Sequence, residues 1–407
     1  MPTPAAAQEP IPSFTIDLAK APRERYHEVV QVFGPRMRSL TGLYDSLLST
    51  FLASSWLRSC VTNLSKLCLR RVFDEEENEE IKGISAASGV PLYLLVALNN
   101  LLDLLLGCTS GAVPVSSSKS SRKTSDGISH HHTRLMHFRT LDWGMDELRD
   151  LLVVLEFVDS SSDHPRRVIA RSITYAGFVG CLTAVRKGIS ISLNHRPCHD
   201  CPGRRLRWHQ LLVLFGKRKS IGSIVRSFML QPPQFVGEAE EQATALTSIP
   251  SAPCYLILCD GQEAAVIVKD YITGTVQSSR GFIAQTNHDP DDQKDLRIQK
   301  NETPRQNRHE VIASSFQVEG WIKESADRLR CIQKRWDHLV QKSEGGKSTV
   351  SIDTTDNSTA IPSVTEKTLR RWVSKYPTLN ECTHFTTILD PVPGKIRWLM
   401  RGPLDNA

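Results

Sequence analysis

The chain has 407 residues, 40% of them hydrophobic and 23% charged, with a formal net charge of +6. That length buries a sizeable core without disulfide or metal staples, and the composition excludes a wholly disordered chain. The charge is too mild for a dedicated nucleic-acid binder, so no nucleic-acid partner is expected.

The first third reads as helical. Met37, Leu40, Leu43, Tyr44, Leu47, Leu48, Phe51 and Leu52 recur at three- and four-residue spacing, which makes one apolar stripe. The acidic run Asp74–Glu80 reads as an exposed connection or helix start. Residues 92–106 read as a buried helix. The surrounding apolar run, Pro91–Gly107, is broken by Asn99, Asn100 and Asp103 and is too short to span a bilayer. The N-terminus as written has neither a basic start nor an apolar stretch, so it reads as no signal peptide. The 10 cysteines show no framework spacing, and reduced thiols in the cytoplasm are the default.

Residues 112–133, rich in Ser and Lys, read as a long solvated loop between strands. The consecutive His130, His131 and His132 cannot easily converge on one ion, so they read as loop residues. Short β-like runs follow at 134–140, 151–158, 167–173, 180–185 and 188–194. Residues 204–230 read as helical; 254–260, 264–271 and 275–286 read as successive strands. A helical pattern covers 309–341, with Gly320 a point of division. Residues 343–365 read as an inserted loop, and 383–401 as a hairpin turning at Pro391–Gly394. Helices flanking many antiparallel strands give an α+β layered fold.

The segments with chemical content are Gly107-Cys108-Thr109-Ser110, then Arg139-Thr140-Leu141-Asp142, then Asn194-His195, then Gln285-Thr286-Asn287-His288-Asp289. Taken singly, each has a plain reading. A free cysteine is usually core, an Arg–Asp pair is a surface ion pair, and an asparagine is a turn residue. The cluster His195, Cys198, His199, Cys201 has the spacing of half a zinc site. No second C-x-x-C accompanies it, and no metal or cofactor is expected.

Taken in order, these segments resemble the acid ceramidases and N-acylethanolamine-hydrolysing acid amidases, which are cysteine N-terminal-nucleophile amidases. The resemblance begins at IPSFTIDLAKAPRERY (11–26). It continues through CTS (108–110), RTLDWG (139–144), YAGFVGCLTAVRKGISISLN (175–194) and QTNHD (285–289). It ends in HFTTILDPVPGKIRWLMRGP (384–403). It implies a four-layer αββα sandwich whose chain cuts itself at Gly107–Cys108. Residues 1–107 would form a helical α-subunit-like segment. Residues 108–407 would form the amidase domain, with loop insertions at 112–133 and 343–365. Charge divides at the same bond: 10 basic and 12 acidic residues before it, hence −2, and 40 and 32 after it, hence +8.

The resemblance further implies that Cys108 is the nucleophile, with its own freed α-amine as the base. An amine attached to the nucleophile's residue is always within reach, and it titrates near ~7.7–8.0. Arg139 would favour the thiolate, and Asp142 would orient the ammonium. Asn194 and Asn287 would donate to the oxyanion. His195 stands where the family typically has Glu, a residue of the cleavage network. Asn301 and Glu302 replace an Arg pair before Thr303-Pro304, with Arg297 or Arg305 as alternatives. The implied substrate is a lipid N-acyl amide, ceramide first, met at a transient membrane or micelle surface. The two chains would stay associated after the cut. Alternatives are an N-acylethanolamine or other acyl amide, or an inactive lipid- or protein-binding relative. The compartment is cytoplasmic as written, or lysosomal, vacuolar or secreted if the true N-terminus differs.

Overall fold

The computed structural model describes residues 10–52, 54–101, 107–116, 133–199, 201, 203–231, 238–289, 309–310, 315–345 and 362–403. In chain order the segments before Cys108 are β1 (Ser13–Asp17), α1 (His27–Met37), α2 (Leu40–Phe51), α3 (Ser55–Cys68), α4 (Glu75–Ser88) and α5 (Leu92–Leu101). Then come β2 (Gly107–Ser116), β3 (Thr133–Asp142), β4 (Leu152–Val158), β5 (Ala170–Tyr175), β6 (Thr183–Arg186), β7 (Ile189–His195) and β8 (Cys198–His199). They are followed by α6 (Gly203–Leu214), α7 (Ile221–Leu230), α8 (Ala239–Thr247), β9 (Cys254–Cys259), β10 (Ala264–Lys269), β11 (Gly274–Ser279) and β12 (Ile283–Gln285). The last are β13 (His309–Glu310), α9 (Ser315–Gly345), α10 (Glu366–Val373), β14 (Thr383–Asp390) and β15 (Lys395–Arg401).

Two sheets face each other. One has eight strands in the order β1-β4-β5-β6-β7-β9-β10-β11; the other has five, β12-β2-β3-β14-β15. Helices α1, α4, α5, α7 and α8 share one core with the outer face of the eight-stranded sheet. Helices α9 and α10 cover the five-stranded sheet through Ile332, Leu369 and Val373. Ala112 and Leu135 meet Cys259 and Ala264 between the sheets. His137 is also held there, between the hydroxyls of Ser190 and Ser192 at 2.9 Å each. The layers are therefore helix, sheet, sheet, helix, and the fold is α+β as expected. Being covered on both faces explains why β7 (ISISLNH) and β14 (THFTTILD) are buried along their whole length. β7 still alternates in the sequence: Ile189, Ile191 and Leu193 join the apolar core, while Ser190 and Ser192 meet His137 between the sheets; β14 does not, because neither of its faces meets water. The edge strand β11 does alternate.

Several expectations need correction. The first third is not only helical: β1 adds a strand to the eight-stranded sheet, parallel to β4. Its SFTID alternation was the available signal. The 204–230 stretch is two helices, because Gly216 turns the chain at φ 63° and Ser220 caps α7 by accepting from the Ser223 N–H. The 275–286 stretch is two strands in different sheets, β11 and β12, parted at Arg280–Phe282. Gly320 does not divide α9, which begins at Ser315. Residues 117–132, with His130–His132, lie outside the described residues, as do 346–361; of the expected insertion 112–133, residues 112–116 and 133 are strand.

The acidic run does start a helix, with Asp74 accepting from the N–H groups of Glu76 and Glu77. It is not an exposed connection throughout. Glu77 and Glu80 are buried. Arg226 of α7 grips Glu80 with both terminal nitrogens, and Arg25 donates to the same carboxylate at 2.9 Å. Among the described residues no helix is long and apolar enough to cross a membrane.

Candidate active site

The strands bring the predicted residues together. Antiparallel pairing of β2 with β3 sets Gly107 opposite Asp142 and Cys108 opposite Leu141. Gly111 of the same strand is needed for close approach: a Cβ there would lie 2.2 Å from the Ile283 carbonyl oxygen of β12. That approach carries the chain onward from β12 to Asn287. Asp289 anchors the turn that follows. It accepts from Arg196 at 2.6 Å and from the Tyr255 hydroxyl at 2.7 Å.

Cys108 is fully buried. Its backbone N–H donates to Asn287 Oδ1 at 2.7 Å. Arg139 donates from Nη2 to the thiol sulfur at 3.1 Å and to the Leu193 carbonyl at 2.7 Å. Its Nη1 donates to the Leu182 carbonyl at 3.1 Å, so a guanidinium rooted in one sheet is fixed by the other. The expected lowering of the thiol pKa is not the net result. Burial pushes the Cys108 thiol up, and Arg139, Arg328 and the His195 backbone N–H act against it. Desolvation of the charged form wins while the sulfur is shut from water.

Asp142 accepts from Arg328 on one oxygen and from the Thr383 hydroxyl at 2.7 Å on the other. Burial raises its pKa, and Arg328 is the largest opposing influence. Asn287 donates from Nδ2 to the His195 carbonyl at 2.8 Å, and its backbone N–H donates to Ser325 Oγ at 2.7 Å. Asn194 differs. Its Nδ2 donates to the carbonyls of Gln285 at 3.0 Å and Thr286 at 3.3 Å, and its Oδ1 accepts from Ser110 at 2.8 Å. Both amide hydrogens are thus engaged in tying β7 to β12.

His195 is buried, which brings its imidazole down to about 4. The contacts that join it to the site run through its backbone carbonyl and N–H. A backbone contact tolerates a change of side chain, so the His in place of Glu leaves these bonds intact. Arg297, Thr303, Pro304 and Arg305 lie outside the described residues. His199 and Cys201 form a local turn, with the Cys201 N–H donating to His199 Nδ1 at 3.2 Å.

Two residues at the site were missed, Ser325 and Arg328. The signal was present in the helical pattern. Ile322, Ser325, Ala326, Arg328 and Ile332 form the buried face of α9. A serine and an arginine on an apolar stripe need buried partners, since an unpaired charge there is costly.

The comparisons follow the same outline. The family model for the beta subunit of N-acylethanolamine-hydrolyzing acid amidase matches residues 9–73. Acid ceramidase of Rattus norvegicus is 27% identical over 309 residues, 69% of this chain and 70% of that protein. Acid ceramidase of Heterocephalus glaber is 27% identical over 305 residues, with the same coverage. A solved structure of a Caenorhabditis elegans N-acylethanolamine-hydrolyzing acid amidase ortholog covers 72% of this chain and 100% of its own, at 17% identity and a TM-score of 0.43. On the sequence matches, the chain is similar to the acid ceramidases over about two thirds of its length and, over residues 9–73, to the beta subunit of N-acylethanolamine-hydrolyzing acid amidase.

Proposed function

We propose that the chain is a self-cleaving cysteine amidase that hydrolyses a lipid N-acyl amide, with ceramide as the first substrate. That it is an amide hydrolase follows from its relatives. The finer reading is carried by one observation. Cys108 has its nitrogen on Asn287 and its sulfur on Arg139, with Asp142 across the strand pair from Gly107.

In this reading Cys108 Sγ first attacks the Gly107 carbonyl, moving the acyl group from nitrogen to sulfur. The α-amine is freed as that C–N bond breaks, and water then hydrolyses the thioester to the Gly107 carboxylate and the Cys108 thiol. In turnover, the thiol proton passes to that amine as sulfur attacks the substrate carbonyl carbon. The C–N bond breaks as the ammonium returns the proton to the leaving amine. Water hydrolyses the thioester and releases the fatty acid. Asn287 is the stronger candidate for the oxyanion donor, because Asn194 spends its amide hydrogens on two carbonyls.

The cut chains, 1–107 and 108–407, would remain associated. Support comes from the β1–β4 pairing, the shared core and the Arg226–Glu80 contact, all of which cross the division. A lipid surface as partner is supported by exposed apolar stripes. Trp56, Leu57, Leu64 and Leu67 project from α3, Trp208 and Leu211 project from α6, and exposed Phe215 follows directly after it. Both helices pack on α5 and carry basic residues beside the stripes, as interfacial helices do.

N-acylethanolamine is the second reading, favoured by the match of residues 9–73 to the corresponding amidase model. The test is denaturing mass measurement of wild type and Cys108→Ala, with fatty-acid release from both lipid classes across acidic to neutral pH. Two chains in wild type, one in the variant, and release by wild type alone are expected. A single intact wild-type chain that releases nothing would overturn the reading in favour of a binding relative.

A further inference from the structure

We infer that the groove between α9 and α10 binds an organic polyphosphate of nucleotide size, taken from the aqueous phase. Its binding chemistry is independent of the amidase reading. The groove has a volume of about 620 Å³, within the range of small-molecule sites. Lys334, Arg335, His338 and Lys342 line it from α9, and Arg371 lines it from α10. At the helical rise of about 1.5 Å per residue, Lys334 and Lys342 stand about 9 Å and about 21 Å along the axis from Arg328. Arg328 is where α9 reaches Asp142, so the groove is a separate place on the same helix.

Elsewhere on these two helices the cations are paired. Arg330 meets Asp327, and Glu366 meets both Arg370 and Arg397. Asp337 accepts from Gln333. No carboxylate lines the groove, and among the described residues none lies within salt-bridge distance of Lys334, Arg335, Lys342 or Arg371. A cleft lined by charges of one sign focuses their field and concentrates the opposite ion. Arg335 donates from Nη1 to the Trp372 carbonyl, which fixes one guanidinium where the two helices meet. The arginine fork matches phosphate oxygens, and the lysines add point charges beside it.

Two lysines and two arginines call for several negative charges on one molecule, which a single carboxylate does not supply. The same groove holds Cys331, Leu339 and Trp372, all partly buried. A partly buried indole offers a planar ring a face to stack on. A chain of phosphates joined to a planar apolar body meets both demands, which is the chemistry of a nucleoside di- or triphosphate. Position disfavours a phospholipid headgroup. Helices α9 and α10 cover the five-stranded sheet, whereas α3 and α6, with their exposed apolar residues, pack on α5 over the other sheet. The groove is therefore on the opposite outer layer from those residues, away from any surface they would meet.

The experiment is isothermal titration calorimetry of the full chain with ATP, pyrophosphate, adenosine and poly-glutamate, at an ionic strength of about 0.15 M to screen loose ion pairing. ATP is expected to saturate one site per chain and to bind more tightly than pyrophosphate, with adenosine much weaker than either. Lys334→Glu and Arg371→Glu, both exposed, should each weaken ATP at least about 10-fold, the scale of one lost charge-assisted hydrogen bond. Trp372→Leu should weaken ATP about 5-fold or more and leave pyrophosphate unchanged. Arg330→Gln, on the same helix outside the groove, should match wild type. Circular dichroism first shows each variant folded; if Trp372→Leu does not fold, the two charge reversals decide. No saturable ATP binding at millimolar concentration, or ATP binding that survives both reversals unchanged, would overturn the inference. Poly-glutamate binding without ATP binding would also overturn it, in favour of an acidic peptide. Fatty-acid release by wild type, measured separately, bears on the amidase reading alone.

Discussion

Arg226→Met tests whether the buried charge cluster holds the N-terminal segment to the rest of the chain. Glu80 of α4 is fully buried and Arg226 of α7 is 3% exposed. Arg226 donates to both Glu80 oxygens and, at 2.9 Å, to the Val179 carbonyl. Met keeps much of the stem packing but leaves Glu80 with Arg25 as its remaining cation. Removing one partner of a buried ion pair costs about 3–5 kcal/mol, chiefly through the stranded charge. An unfolding entropy of about 2.1 cal/mol/K per residue over roughly 300 residues turns this into a Tm loss of about 5–8 °C. The double variant Glu80→Gln/Arg226→Met removes the stranded charge while Gln still accepts from Arg25. It should recover part of the loss, so the two changes should not add. Differential scanning calorimetry reads both. A single variant within about 1 °C of wild type, or a double variant at the sum of its parts, would refute the reasoning.

Burial raises the carboxyl of Glu77, beside the Ser223 hydroxyl, to about 7. A folded-state value above the unfolded one gives stability that is full below the unfolded value of 4.5 and is lost as pH rises through about 7. Glu77→Gln should therefore stabilise the chain relative to wild type above pH 7, by up to about 3 kcal/mol, and change little at pH 4. Buried His137 and His195, brought down to about 3 and about 4, act in the opposite sense; taking the difference between variant and wild type at each pH cancels them. Equal Tm differences at both pH values would contradict the Glu77 assignment. For the asparagines, Asn287→Ala should cost about 10²–10³ in kcat as an oxyanion donor. Asn194→Ala should instead lower Tm more than it lowers kcat in the protein that remains folded. Equal kcat losses without a change in Tm would return Asn194 to the donor role.

The sequence by itself determined the ordered set Cys108, Arg139, Asp142, Asn194 and Asn287, and most of the strands. Cys108, Arg139 and Asp142 sit on paired strands, where position along the chain nearly fixes position in space. It also offered a helix start at Asp74–Glu80 as one of two readings, because capping is a local interaction. Only the tertiary structure decided what those local patterns face. It buried Glu80 between two arginines distant in sequence, split 275–286 between two sheets, and turned the Cys108 thiol upward in pKa by closing it from water. It also gave Asn194 a tie between strands and brought Arg328 across 186 residues to Asp142. Burial and long-range pairing depend on how layers stack, and no window of neighbouring residues contains that information.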